Sequence, residues 1–336
     1  MQVHLYNAIA HAISQVTRKW VRPVSADQAE ASVEMADRES RGFAWPIEAT
    51  FWRTRVEGVV RLLRDQLPQR WQRDHELPKT IVEAMLWNFS ALSEQGAAYI
   101  TFDHPHYPTG LRTIQDPPAA ITMLGEREIL DLPSIAVVGA RKASGHAIHE
   151  SFQLGFGLAS MGIAVVSGGA LGCDIAAHHG AMASARDPVP AIVVFAGGLA
   201  DIYPRCHRQM FHNMRQRGAL FVSERLWSDA PLPVDFPIRN RIISALAEEV
   251  VVMQAAVRSG AMVTARVALD QGREVAILRH PEDDVRGLGG WALEQEGAHG
   301  FAAAEIYLDQ LVRRLERGDC ATAIRAEVAI GIDRRG

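Results

Sequence analysis

The sequence predicts an α/β protein with a doubly wound, mostly parallel sheet and a small N-terminal helical domain. Two observations support this prediction. From about residue 119 onward, short apolar runs rich in β-branched residues alternate with amphipathic stretches of roughly 10 to 17 residues. Near-continuous apolar strands separated by helices are typical of a parallel sheet that helices cover on both faces. The first hundred residues differ, because they show helical spacing and hold five of the seven tryptophans.

The apolar runs place seven strands in the core, at residues 120–124, 135–138, 164–167, 191–195, 220–223, 250–253 and 274–278. Helical spacing recurs over residues 52–67 and 80–92, and one further helix is predicted over 303–317. We therefore expect a helical domain at residues 1–100, a core at 101–302, and a C-terminal helix and tail at 303–336.

Composition excludes several classes of protein. Of the 336 residues, 48% are hydrophobic and 22% are charged, which indicates a globular chain with a sizeable core and excludes collagen-like or disordered chains. A formal net charge of −4 excludes nucleic-acid binding through overall basicity, so a polyanion would need a focused cationic site.

Cysteine usage and hydropathy predict a cytoplasmic location. The three cysteines, Cys173, Cys206 and Cys320, lie far apart, which fits neither a disulfide framework nor a zinc knuckle. The N-terminus lacks a basic segment followed by an apolar one, and no window approaches 18 consecutive apolar residues. We expect a soluble protein with no membrane span.

The loop after strand 135–138 is the first candidate site, because ligands of open parallel sheets bind outside the carboxyl ends of the strands. Gly139 and Gly145 let the backbone approach an anion, and Ser144 precedes a helix. Arg141 and Lys142 add full positive charge. We predict a phosphate-binding loop here; the alternative is a glycine turn with two solvated cations.

The loop after strand 164–167 is the second candidate. Ser167, Gly168 and Gly169 lead into the next helix, and the glycines permit a close backbone approach to a phosphate. A dinucleotide-binding enzyme would carry an acidic residue at the position of Ser167, so nicotinamide or flavin redox chemistry is disfavoured.

Possible catalytic residues follow in the same helix. Asp174 is expected to cap it, and His178 lies four residues further on. No serine or cysteine nucleophile with its own base accompanies them, and Cys173 is more readily a buried thiol than a catalytic one. We predict no catalytic residue, no metal site and no cofactor.

The third candidate is the run Arg239, Asn240 and Arg241, which we expect in the first turn of a short helix. Arginine at a helix N-terminus opposes the helix dipole, so these residues favour an anionic partner. The alternative is a buried salt bridge to Glu224 or Asp235.

Hydroxyl groups and aromatic rings complete the candidates. Ser259, Gly260 and Thr264 begin a later helix, where the hydroxyls either cap the helix, which is the default, or bind a phosphate. Tyr203 and Phe236 are the nearest rings for stacking against bases, and each is equally compatible with a place in the core.

Taken in order, these loops resemble the DNA-processing protein A family, also called Smf, over about residues 103–302. The matching residues are Tyr107-Pro108 with Leu111, Asp116-Pro117-Pro118, Val138 to Arg141 with Ser144-Gly145, Ser167-Gly168 through Gly172, Asp174 to His178, Tyr203-Pro204, Ser223-Glu224, Phe236 to Ile243, Arg258-Ser259-Gly260, Thr264-Ala265 and Gly297-Ala298. The resemblance implies an extended Rossmann-like core that binds single-stranded DNA. It also implies a homodimer that passes the strand to a RecA-like recombinase during natural transformation. We place the dimer contact around residues 289–301.

The chain departs from the family at several points. Leu171 replaces an arginine and Gln254 replaces an acidic residue, and the first 95 residues lack the expected helix-hairpin-helix glycine pattern. Recombination or defence against foreign DNA is therefore as compatible with the chain as transformation. The competing prediction is a nucleotide sensor or nucleotide-processing enzyme on the same fold.

Overall fold

The computed structural model describes residues 2–17, 56–57, 59–60, 67 and 69–318. Most of the predicted helix 52–67 and the tail beyond residue 318 lie outside these residues. Within them, the chain forms two compact units. The smaller contains the described residues up to Met123 together with Gly197–Ala200 and Ser223–Ala230, and the larger contains the remainder. The predicted domain limits at about residues 100 and 302 stay a prediction.

The smaller unit is mainly helical. Its elements are α1 (Gln2–Thr17), α2 (Gln69–Gln72), α3 (Leu77–Gln95), β1 (Ala98–Thr101), α4 (Thr109–Arg112) and β2 (Ala120–Leu124), and β1 pairs antiparallel with β2. Helix α3 ends at Gly96, whose φ of 65° suits the left-handed cap. Helix α1 is held by His11, whose ring nitrogens lie 2.5 Å from the Tyr99 hydroxyl and 2.5 Å from the Glu224 carbonyl oxygen.

The larger unit alternates strands and helices. Its elements are β3 (Ser134–Val138), α5 (Gly145–Ser160), β4 (Ala164–Ser167), α6 (Cys173–Ala183), β5 (Ala191–Phe195), α7 (Arg208–Gln216), β6 (Leu220–Ser223), α8 (Asp235–Ala245), β7 (Glu249–Val252), α9 (Gly260–Asp270), β8 (Glu274–Leu278), α10 (Leu288–Gln295), β9 (His299–Phe301) and α11 (Ala304–Arg317). No described helix of the chain has the length and apolar character needed to cross a membrane.

The strands of the larger unit lie in the order β6-β5-β4-β3-β7-β8-β9. The pairs β5–β4, β4–β3, β3–β7, β7–β8 and β8–β9 are parallel, and β3, β4, β5 and β7 are buried along their whole length. After β3, the chain adds β4, β5 and β6 on one side of that strand, and it then adds β7, β8 and β9 on the other side. The strand order therefore reverses between β3 and β7, which is the place where open α/β sheets bind ligands.

The predicted α/β fold is confirmed. All seven predicted strands are present, each within one residue at either end, and the helices predicted over 80–92 and 303–317 correspond to α3 and α11. Strands β1 and β9 were not predicted. Strand β9 has only three residues, His299, Gly300 and Phe301, which is too short to show an alternating or continuous apolar pattern.

Glycines let the helices of the larger unit approach closely. A Cβ on Gly155 of α5 would lie 2.0 Å from the carbonyl oxygen of Ala177 in α6, and a Cβ on Gly180 of α6 would lie 2.0 Å from that of Phe152 in α5. These two helices therefore pack backbone against backbone, which fixes the direction in which α5 leaves β3.

Candidate anion-binding site

The loop between β3 and α5 is held across the point where the strand order reverses. Ser144 caps α5, since its hydroxyl accepts a hydrogen bond from the Ala147 N–H at 3.1 Å. The Ser144 N–H donates to the side-chain oxygen of Gln254 at 2.9 Å, and the Gln254 amide also donates to Asp284 at 3.2 Å. Because Gln254 follows β7, it fixes the loop from the opposite side of the crevice.

Three of the predicted residues on this loop are exposed, namely Arg141, Lys142 and Gly145. A Cβ on Gly145 would meet nothing within 4 Å, so the N-terminus of α5 is open. Gly139 has a different role, because a Cβ there would lie 2.5 Å from the Cys173 sulfur. Glycine is therefore required here for packing against Cys173, and an anion contact of its backbone stays a prediction.

Arg141 is positioned by an aromatic ring. Its guanidinium carbon lies 5.0 Å from the ring centroid of Phe236, within the range of a cation–π contact. The Phe236 ring is in turn 5.7 Å from the ring of Tyr203, in an edge-to-face arrangement. The cationic loop after β3 thus meets the start of α8 and the loop after β5.

Arg239 does not line an open groove as expected. It is 6% exposed, and its guanidinium donates to the carbonyl oxygens of Gly168, at 3.0 Å, and Val194. Burial lowers the pKa of Arg239 to about 10, the Asp174 carboxylate opposes that shift, and the Arg141 charge adds to it. Arg239 therefore stays protonated at neutral pH and ties the carboxyl ends of β4 and β5 together.

Arg241 and Asn240 are also buried, which corrects the expectation that they face an anion from the first helical turn. Helix α8 begins at Asp235, whose carboxylate accepts the Leu232 N–H at 2.7 Å, so both lie in the second turn. The Asn240 amide donates to the Gly260 carbonyl oxygen at 3.5 Å, and the Arg241 guanidinium donates to the Ile238 carbonyl oxygen at 3.3 Å.

The loop after β4 is packed rather than open. The Ser167 hydroxyl donates to the Val137 carbonyl oxygen at 2.6 Å, so the expected phosphate contact is replaced by a bond between neighbouring strands. Gly168 faces Arg239, and a Cβ on it would lie 2.6 Å from that guanidinium. Gly169 has a φ of +61°, and a Cβ on it would lie 2.9 Å from the Phe211 ring.

The hydroxyls at the start of α9 act inside the helix. The Ser259 hydroxyl caps α9 by accepting a hydrogen bond from the Met262 N–H at 3.4 Å. Capping is the role that the sequence predicts by default for this residue. The Thr264 hydroxyl is buried and donates to the Gly260 carbonyl oxygen at 3.2 Å, so its expected phosphate contact is corrected. Gly260 itself is exposed with open space before it.

Asp174 does not cap α6, contrary to expectation. Gly172, with φ of 83°, occupies the cap position, and the buried Asp174 carboxylate accepts the Ala170 N–H at 3.4 Å. Burial raises the pKa of Asp174, while Arg239 lowers it.

Burial raises the pKa of Cys173 to about 11 and lowers that of His178 to about 3. At neutral pH the thiol is therefore protonated and the imidazole is neutral.

The arrangement combines an open helix N-terminus with exposed cations and a partly exposed aromatic pair. Such a set can hold an anion and, beside it, a flat apolar group. Among the residues that the structure describes, no three histidine, cysteine or acidic side chains come together to hold a metal ion. Sequence reasoning missed the role of Gln254, although its place directly after a predicted strand was a usable signal.

Comparison with known proteins gives consistent findings. Residues 98–312 match the family described as DNA recombination-mediator protein A. Protein Smf of Escherichia coli is 35% identical over 241 residues, which is 71% of this chain and 63% of that protein. DNA processing protein DprA of Bacillus subtilis is 32% identical over 270 residues, which is 80% of this chain and 85% of that protein. The chain thus spans slightly less than two thirds of the Escherichia coli relative.

Solved structures of two related proteins are similar to this chain. DNA processing protein A from Streptococcus pneumoniae superposes with a TM-score of 0.60 at 27% identity, covering 77% of this chain and 91% of that one. DNA processing protein A from Helicobacter pylori, whose structure addresses a unique single-stranded DNA binding mode, superposes with a TM-score of 0.59 at 27% identity. The superposed region covers 66% of this chain and 98% of the Helicobacter pylori chain.

Proposed function

Because the chain belongs to the DNA recombination-mediator protein A family, we propose that it is a DNA-processing protein that binds single-stranded DNA at the carboxyl edge of its parallel sheet. One observation supports the location more than any other. Arg141 and Lys142 are the exposed cations of a loop that is fixed by Gln254 and opens onto the N-terminus of α5. Phosphate groups bind where free backbone N–H groups and positive side chains converge.

The buried Arg239 adds to this proposal without touching the strand. Its guanidinium is protonated at neutral pH and donates hydrogen bonds to the carbonyl oxygens of Gly168 and Val194. A charge in surroundings of low dielectric acts over a longer distance than one in water. Arg239 therefore holds the loop after β4 in place and contributes positive potential behind Arg141.

We extend the proposal to the assembly on the basis of the resemblance. The chain forms a homodimer, with residues 289–301 as the proposed contact, and passes the strand to a RecA-like recombinase. Its role is binding and transfer of the strand rather than catalysis, which is supported by the Cys173 thiol, because burial raises its pKa and keeps it protonated at neutral pH. Transformation, recombination and defence would all use this activity in the cytoplasm.

The test of the location is a salt titration with single substitutions. Arg141→Ala and Lys142→Ala each lower the affinity for an oligothymidylate and reduce the slope of log affinity against log salt by about 0.7. Arg127→Ala is the matched control, since this exposed arginine precedes β3 at the opposite edge of the sheet. Unchanged affinity and slope in both loop variants would contradict the proposed location.

Arg239→Met provides a contrast within the same experiment. Removing the guanidinium leaves two buried carbonyl oxygens unpaired, so we expect a loss of about 3 kcal/mol in the free energy of unfolding. Urea denaturation measures this loss. A variant as stable as the parent would show that Arg239 is not the structural group described above.

A further inference from the structure

We propose that His146 and His280 together bind a divalent transition-metal ion, with Zn²⁺ as the representative ion. This site goes beyond the proposed function, because it needs no DNA. His146 lies in the first turn of α5, and His280 follows the end of β8 by two residues. The two histidines are far apart in the chain, so only the fold of the larger unit brings them together.

The two imidazole rings are placed for a shared ion. Their centroids lie 5.8 Å apart, and their planes are nearly perpendicular, at 80°. Two imidazoles whose nitrogens lie about 2.0 Å from one tetrahedral ion have centroids about 5 Å apart. The His146 side chain is 49% exposed, so it can turn by the small amount that this difference requires without disturbing the core.

The hydrogen bond of His280 leaves its other ring nitrogen as a ligand. Nε2 of His280 lies 2.7 Å from the carbonyl oxygen of Met253. A carbonyl oxygen only accepts, so Nε2 carries the proton and Nδ1 of the neutral ring keeps its lone pair. Metal-binding histidines typically donate their second N–H in this way, which fixes the tautomer and the orientation of the ring. Gly287 also confines the side chain, because a Cβ on it would lie 2.6 Å from the Cβ of His280.

A buried carboxylate orients His146 in a similar way. Glu150 is 9% exposed, and one of its oxygens accepts the Ala304 N–H at 2.6 Å. Its other oxygen lies 3.9 Å from Nδ1 of His146, one turn earlier in α5. The carboxylate favours the proton on Nδ1 and leaves Nε2 of His146 as the ligand. Because α11 holds Glu150, this carboxylate is in place before any ion binds.

The available ligands define the class of ion. Imidazole nitrogens suit Zn²⁺, Cu²⁺ and Ni²⁺, whereas Mg²⁺ and Ca²⁺ take oxygen ligands. The carboxylate of Asp284 interacts electrostatically with His280, but its oxygens already accept hydrogen bonds from Gln254 and Arg286. The ion therefore has two protein ligands, with water in its remaining positions. This agrees with the finding that no group of three such ligands occurs in the part of the chain that the structure describes.

The bound ion acts as a clamp within the larger unit. Helix α5 follows β3, and His280 follows β8, while β7 lies between these two strands in the sheet. The ion therefore joins the first turn of α5 to the segment after β8 across the end of β7. Since the unfolded chain does not hold the two histidines together, the ion stabilises the folded state.

Isothermal titration calorimetry on the tag-free full chain, at about pH 7.5, tests the site with Zn²⁺ and with Mg²⁺. We expect the parent to bind Zn²⁺ and not Mg²⁺. His146→Gln and His280→Gln should each weaken zinc binding at least about tenfold, and the double variant should lose no more than either one, because both ligands hold the same ion. Glu150→Gln can still accept the Ala304 N–H, yet it should weaken zinc binding about tenfold through His146. His212→Gln is the matched control, because His212 is an exposed histidine on α7.

Thermal unfolding gives a second readout, because Zn²⁺ should raise the unfolding midpoint of the parent and of neither histidine variant. A parent that does not bind Zn²⁺ would overturn the proposal. Unchanged zinc affinity in both histidine variants would also overturn it, because the ion would then bind elsewhere, for example at the exposed Cys206 thiol. Loss of binding in His149→Gln with retention in His280→Gln would place the ion on the surface of α5 alone and refute the clamp. None of these outcomes bears on DNA binding, so the two proposals fail separately.

Discussion

Single residues at the carboxyl edge of the sheet divide into exposed and buried charges. Arg141 and Lys142 are exposed, whereas Arg239 and Arg241 are each 6% exposed and donate to backbone carbonyl oxygens. A buried arginine is costly unless its donors are paired. One terminal nitrogen of Arg239 donates to the carbonyl oxygens of Gly168 and Val194, whereas its buried Nε has no hydrogen-bond partner among the described residues. The same residue type therefore supports the site in one place and presents charge to solvent in another.

Burial of His178 predicts how stability depends on pH. Its pKa falls to about 3 in the folded protein from 6.5, mainly because burial disfavours the imidazolium. The unfolded chain thus binds a proton that the folded chain does not, so this stability is present above pH 6.5 and is lost as the pH falls. Between pH 7 and pH 5, His178 should account for a loss of about 2 kcal/mol.

Urea denaturation of the parent and His178→Leu at both pH values measures this effect. The variant should lose about 2 kcal/mol less than the parent between pH 7 and pH 5. Comparing each protein with itself at two pH values removes any change in packing that the substitution causes. Equal losses in both proteins would show that His178 is accessible to protons in the folded state.

At the scale of elements, the orientation of α5 depends on glycine. We expect Gly180→Ala to lower the free energy of unfolding by about 2 kcal/mol, because its Cβ would lie 2.0 Å from a backbone oxygen of α5 and the helices would have to separate. Gly290→Ala is the matched control. Its helical Cβ would lie 3.8 Å from Ile277, an ordinary contact, so helix propensity makes it neutral or stabilising.

Urea or thermal unfolding of both variants gives the comparison. Equal stability of Gly180→Ala and the parent would contradict the close approach of α5 and α6. A large loss of stability in Gly290→Ala would show that added volume is costly throughout this unit. The loss in Gly180→Ala would then no longer indicate a close approach of α5 and α6.

Local patterns predict elements better than they predict the exposure of side chains. The seven strands were predictable because continuous apolar runs such as 191–195 have no other stable place than a covered sheet. The burial of Arg239 was not predictable, because it depends on the start of α8. A hydrogen bond between Asp235 and Leu232 sets that start, and the sequence does not distinguish it from a later start at Phe236.

The same limit applies to hydroxyls and glycines of the candidate site. Ser144 and Ser259 cap helices, as their positions before helical segments indicate. Ser167 and Thr264 occur in similar sequence surroundings, yet their hydroxyls bond to backbone oxygens that only the fold brings near them. A glycine-rich loop therefore indicates where an anion-binding site can lie, while tertiary packing decides which of its residues remain open.

At the scale of the whole molecule, a chain with net charge −4 requires a local concentration of positive potential to hold DNA. We propose that the larger unit provides one where the strand order reverses, with the exposed Arg141 and Lys142 in front and the buried Arg239 behind. Because such a site makes few phosphate contacts, the slope of log affinity against log salt should be shallow, and the affinity should depend on few residues.

The most direct test of the central claim is the choice of ligand by the unmodified protein. Fluorescence anisotropy at fixed salt compares a labelled oligothymidylate of about 20 nucleotides with a duplex of equal length, and free nucleotides serve as competitors. We predict that the single strand binds at least about tenfold more tightly than the duplex and that no nucleotide displaces it. Equal binding of the duplex, or displacement by a free nucleotide, would contradict the claim that this site holds single-stranded DNA.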